Sequence, residues 1–100
     1  MVERYVFIKL KDKYSNKKGR AEVVSEAKAV LPGIPGVLDM TVGKPGDKHA
    51  KSAWDISLRL RFEGLEDVEP YREHEEHQYF MDEFLESRIK VIKAWNFACD

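Results

Sequence analysis

The sequence predicts an α+β fold, a ferredoxin-like βαββαβ sandwich whose helices cover one face of a four-stranded antiparallel sheet. Three observations carry this expectation. Four segments alternate apolar and polar residues with the period of strands, and two show the spacing of amphipathic helices. Glycine and proline pairs separate the segments, and 100 residues suffice for one small domain.

Val2 to Leu10 reads as the first strand. Val2, Arg4, Val6, Ile8 and Leu10 fall on one face, and Glu3, Tyr5, Phe7 and Lys9 on the other. Both faces carry large apolar groups, so the strand is expected to be covered on both sides. Ser15 or Asn16 can cap a helix that runs to about Leu31, because their side-chain oxygens accept from the first free amides. Its apolar stripe is Ala21, Val23, Val24, Ala27, Val30 and Leu31, and Pro32-Gly33 stops it. Pro35-Gly36 leads into a short strand, Val37 to Val42, ended by Gly43. The polar stretch Lys44 to Lys51, with Pro45-Gly46, is expected to be a mobile loop.

Ser52 to Phe62 shows the strongest alternation. Trp54, Ile56, Leu58, Leu60 and Phe62 share one face; Ala53, Asp55, Ser57, Arg59 and Arg61 share the other. After Gly64, Leu65 to about Glu86 reads as helix in two pieces, with Pro70 in the first turn of the second. Val68, Tyr71, Tyr79, Phe80, Phe84 and Leu85 supply its apolar contacts. The last strand, Arg88 to Phe97, sets Ile89, Val91, Lys93, Trp95 and Phe97 against Ile92 and Ala94.

Composition narrows the function. Hydrophobic residues make up 43% and aromatics 11%, recurring along the chain, which argues against disorder. Seventeen basic residues against 18 acidic leave a net charge of −1, without the basic footprint that nucleic acid requires. The local basic excess from Lys9 to Arg20 reads as a solvated loop and helix start. The single cysteine, Cys99, excludes an intramolecular disulfide and a cysteine metal cluster. No apolar run approaches the ~20 residues of a membrane span. Met1 to Lys13 is too charged for a signal peptide, and a reducing cytoplasm is the expected location. An open sheet face holding Tyr5, Phe7 and Ile92 would invite aggregation, so a homodimer through the sheet faces is expected.

Several segments together resemble the stress-responsive α/β barrel domain, also called the dimeric α/β barrel or Dabb family. They are Val6-Phe7-Ile8-Lys9-Leu10-Lys11-Asp12, Leu31-Pro32-Gly33-Ile34-Pro35-Gly36-Val37, and Trp54-Asp55-Ile56-Ser57-Leu58 followed by Phe62-Glu63-Gly64-Leu65-Glu66. Tyr71-Arg72-Glu73-His74-Glu75-Glu76-His77 is similar to the family's Tyr-x-x-His-Pro-x-His segment. The resemblance spans nearly the whole chain. It implies a homodimer whose sheets face each other as a barrel, and a small pocket in each subunit between sheet and helices. One plant member closes a polyketide ring there, using a tyrosine and histidines. This chain keeps Tyr71, His74 and His77, but has Arg4 where a first-strand histidine is frequent and Ile56 where the plant cyclase has another. Ala27 replaces a pocket tyrosine, and Glu75 replaces the proline.

Tyr71, His74 and His77 are spaced three apart and would share a face of a continuous helix. Histidine titrates near neutrality and suits proton transfer, so His77 with Tyr71 forms the candidate catalytic pair. His74 is expected either to bind ligand or to bond backbone near the helix break. Glu73, Glu75 and Glu76 beside the two histidines could attract a divalent ion, but the spacing is not that of a strong zinc helix, and no metal is assigned. Arg4, on an otherwise apolar strand face, either snorkels at a mouth, pairs with Glu66, Asp67 or Glu69, or receives an anionic ligand. Asp55, Arg59 and Arg61 are expected to form ion pairs at the barrel ends. Ile56, Trp54 and Phe84 complete the expected ligand-binding set as pocket wall. No phosphate loop, cofactor fingerprint or nucleophile elbow is present, so no cofactor is assigned.

Three functions follow: binding of a small, partly apolar or aromatic molecule; cofactor-free acid–base catalysis by Tyr71 and His77; or a structural stress-protective oligomer. A cavity lined by Tyr71, His77 and Arg4 favours the first two. A space filled by Trp54 and Phe84 favours the third.

Overall fold

Pairing of the alternating segments produces one antiparallel sheet in the computed structural model, which describes residues 1–100. Its strands are β1 (Val2–Leu10), β2 (Asp39–Gly43), β3 (Ile56–Phe62) and β4 (Ile89–Ala98), in the order β2-β3-β1-β4. Val6 lies opposite Leu58 and Ala94, and Ile8 opposite Ile56 and Ile92. Residues of one parity therefore build a continuous apolar face.

Helices cover that face. Helix α1 (Lys17–Val30) starts at Asn16, whose side chain accepts from the Gly19 amide at 2.7 Å. Gly19 is required there, since a Cβ would collide with the Tyr14 carbonyl. Val23 and Ala27 press onto the sheet, and a 3-10 turn over Leu31–Gly33 ends the helix. Gly36, at φ 99°, supplies the left-handed turn toward β2. The core centres on Ile8, Leu10, Val23, Leu31, Leu60 and Phe62.

The polar stretch after β2, expected as a mobile loop, instead contains a short helix, α2 (Lys48–Ala53). Asp47 caps it by accepting from the Ala50 amide at 2.8 Å. This helix delays β3, which begins at Ile56 rather than Ser52. Trp54 and Asp55 thus leave the alternation. Trp54 packs on Phe7 at 5.7 Å, on the face away from the helices. Asp55 turns inward and is fully buried, and Arg20 reaches it from α1 instead of remaining solvated.

The second helical region follows a 3-10 turn, Leu65–Asp67. It comprises α3 (Val68–Glu73), α4 (Glu75–Gln78) and a π-helical segment, Tyr79–Leu85. His74 is extended, at ψ 141°, and breaks the helix between α3 and α4.

The register also corrects the expected open face. Ile92 pairs with Ile8 and points toward the helices, not outward. A register shift between Lys9 and Leu10 brings Ile89 opposite Leu10, so Ile89 packs against the core while Val91 stays outside. The open face carries Tyr5, Phe7, Trp95 and Phe97, the last two 49% and 56% exposed. Beside them Arg59 bonds Glu3 and Asp39 of its own chain, each at 2.7 Å. Of the three residues expected in ion pairs at the barrel ends, Asp55 leaves that face for the interior, while Arg59 and Arg61 stay on it. No helix is long and apolar enough to cross a membrane.

Candidate functional site

The apolar face of the sheet is not completely filled. Between it and the second helical region lies a cavity of about 200 Å³. Strands β1 and β4 form its floor through Arg4, Val6, Ile8, Ile92 and Ala94. Tyr71 from α3, His77 from α4, and Phe80 and Met81 from the π-helical segment form its roof. Leu31 and Leu58 close the remaining apolar wall.

The break at His74 creates this arrangement. In an unbroken α-helix, residues six apart point about 120° from each other. The extended His74 redirects the chain so that the rings of Tyr71 and His77 meet edge to face, 4.7 Å apart. His74 itself caps α4: its Nδ1 accepts from the Glu76 amide at 3.1 Å. The three residues thus do not share a face, and His74 does not line the cavity.

Tyr71 is 2% exposed and its ring packs on Phe62 at 5.2 Å. Burial pushes its phenol up to about 12, against the opposing pull of the Arg4 charge. It is therefore a neutral hydrogen-bond donor at physiological pH. Burial lowers the His77 pKa, and the positive charge of Arg4 lowers it further. Arg72 acts in the same direction, while its backbone carbonyl and Asp82 oppose the shift. The neutral imidazole, which can accept a proton, is favoured.

Arg4 stands on the cavity floor and donates from Nη1 to Asn96 Oδ1 at 3.0 Å. It pairs with none of Glu66, Asp67 and Glu69, the expected partners; Glu69 is held by Arg72 at 3.1 Å. Its stem crosses apolar strand surface and its head keeps free donors. A donor, a base and a cation thus converge on a largely apolar chamber.

Arg4, Tyr71 and His77 are the predicted site residues that the fold brings together. Ile56 and Trp54 line a separate hollow of about 190 Å³ beside the Gly43 to Gly46 turn. Phe84 stacks on Phe80 at 5.6 Å, beneath the Arg88 guanidinium, and does not reach the cavity. No group of three potential metal ligands is assembled. Sequence reasoning missed Asn96, whose signal was its polarity on a strand paired with β1. It also missed Met81, which had no distinguishing signal.

The family model for the stress responsive A/B barrel domain (Dabb) matches residues 2–96. The chain belongs to this family. No curated protein matches this Dabb chain significantly. Its fold is shared by a Dabb protein from Mesorhizobium loti, at 16% identity and a TM-score of 0.82, covering 98% of this chain and 95% of that one. A dimeric protein of unknown function from Bacteroides fragilis is 24% identical with a TM-score of 0.77, over 96% and 93% of the two chains. The hydroxynitrile lyase of Passiflora edulis is 14% identical with a TM-score of 0.79, over 99% and 93%. These likenesses establish the ferredoxin-like fold of the Dabb domain. Proteins of such different description on one fold leave the reaction to the site.

Proposed function

We propose that the protein binds a small, partly apolar molecule in the cavity between sheet and helices, as a homodimer joined through its open sheet faces. One observation carries the binding reading. The chamber is lined by Arg4, Tyr71 and His77 and is not plugged by Trp54 or Phe84. Apolar walls with a few convergent polar groups are the usual composition of a ligand site. The volume, about 200 Å³, suits a single ring with short substituents, since a cavity of ~150 Å³ holds benzene. The dimer reading rests on the aromatic patch of Tyr5, Phe7, Trp95 and Phe97, which a monomer would leave in water.

A second reading, cofactor-free acid–base catalysis, is favoured by the contact between Tyr71 and His77. The phenol, held protonated, can donate to a carbonyl oxygen, and the neutral imidazole can take up a proton.

Titration of the histidine ring signals by NMR tests binding. In the free protein, His77 is expected to titrate below the ordinary value of 6.5. Benzyl alcohol, benzamide and benzoate serve as single-ring probes, and at least one should move the His77 signal saturably. A His77 that titrates as in a free peptide and responds to no probe overturns the reading.

A further inference from the structure

Arg4 is a half-buried cation on the cavity wall that forms no ion pair, and the Glu69 carboxylate acts on it only at longer range. The other guanidinium of the wall, Arg72, is already compensated by Glu69 at 3.1 Å. The nearest acid along β1, Glu3, lies on the opposite face and is held by Arg59 at 2.7 Å. One of Arg4's five N–H donors is taken by Asn96, and the neighbouring wall residues Val6, Ile8 and Ile92 offer none of the rest an acceptor. Desolvating a charge without a counter-charge is costly, and burial here works against the charged form of Arg4.

We infer that the cavity selects an anion: a single-ring molecule bearing one flat oxyanion, a carboxylate or phenolate, seated on Arg4. The inference rests on the binding reading above and adds the charge of the ligand. A guanidinium meets a carboxylate through two parallel donors, a geometry that a neutral amide cannot fully use, and a phenolate oxygen through a single charge-assisted bond. The Tyr71 hydroxyl, protonated and facing the same chamber, supplies a further donor to the oxyanion or to a ring substituent. The apolar walls take the ring. The chamber thus holds one cation that no carboxylate contacts, which a monoanion neutralises and a neutral isostere leaves in place.

Benzoate and benzamide, nearly equal in shape, provide the test by calorimetry on the full chain at neutral pH. Wild type is expected to bind benzoate about ten-fold or more tightly than benzamide, the scale of one charge-assisted hydrogen bond. Arg4→Met, which keeps an apolar stem, should bring the two affinities within about two-fold of each other. Equal affinities on wild type would place the Arg4 head in bulk water; anion selection then fails while the binding reading stands. Persistence of the preference in Arg4→Met also overturns the role of Arg4. Binding of neither probe removes the anion inference, and the binding reading falls with it if benzyl alcohol also leaves the His77 signal unmoved. Should Arg4→Met not fold, raising NaCl from about 20 to 500 mM on wild type gives the same decision. Benzoate affinity must fall with salt and benzamide affinity must not; parallel behaviour refutes the inference.

Discussion

Replacing Asp55 with alanine should remove the one anion that organises the junction of β1, α1 and β3. Its carboxylate is fully buried and accepts from the Leu10 amide at 2.8 Å, Ser15 Oγ at 2.8 Å and Arg20 Nε at 3.2 Å. Lys9 Nζ stands 3.6 Å away. Arg20 is itself buried and its Nη2 has no partner, so Asp55 is its only compensating charge. Removing one member of a buried ion pair costs about 3–5 kcal/mol, because the other is left uncompensated. Against a domain stability of ~5–15 kcal/mol this is a large share, and it lowers Tm by at least about 12 °C. Asp55→Asn keeps the shape and one acceptor but leaves Arg20 without a counter-charge, and should recover only part of this loss. Burial would raise the pKa of Asp55. The Leu10 and Ser15 bonds and the Lys9 and Arg20 charges outweigh it and hold the group below its ordinary 3.8. A depressed folded-state pKa contributes stability above the unfolded value, and that stability is lost as pH falls through the folded one. The gap between wild type and Asp55→Ala should therefore be full at pH 7 and narrow below about pH 4. Urea unfolding followed by tryptophan fluorescence, at one fixed protein concentration, measures it. A loss under about 1 kcal/mol at pH 7, or a gap that does not respond to acid, refutes the reasoning.

Three further substitutions test other parts of the molecule. Trp95→Glu puts a charge into the exposed aromatic patch, and sedimentation should shift from a two-chain to a one-chain mass; a wild type that already sediments as one chain ends the dimer proposal. Gly19→Ala drives a Cβ into the Tyr14 backbone carbonyl and should cost about 1–3 kcal/mol, whereas Gly33→Ala meets open space and should stay within about 0.5 kcal/mol. Comparable unfolding midpoints for the two variants would contradict the close approach at Tyr14.

Local chemistry made much of the architecture legible. The alternation in β1 and β3 specified strands, Asn16 and Pro32-Gly33 bracketed α1, and five spaced segments pointed to the family. The tyrosine–histidine segment and Arg4 stood out as residues in search of a role, and the fold places Arg4, Tyr71 and His77 in one chamber.

What the sequence by itself determined, then, was the order of the four strands and the two main helical regions, and the family, because these follow from period, caps and breakers within a few residues; helix α2 was not among them. Tertiary structure decided which face each ambiguous residue takes. Asp55 looked like a surface member of an alternating strand until the cap at Asp47 nucleated α2 and delayed the strand. Ile92 changed sides because register, not parity along its own strand, assigns faces. The Arg4–Asn96 contact joins residues 92 positions apart, which only strand pairing brings together. Tyr71 and His77 meet, and His74 does not join them, because a single extended residue breaks the helix. Periodicity describes each segment on its own, whereas the site is formed by the register and breaks that join segments.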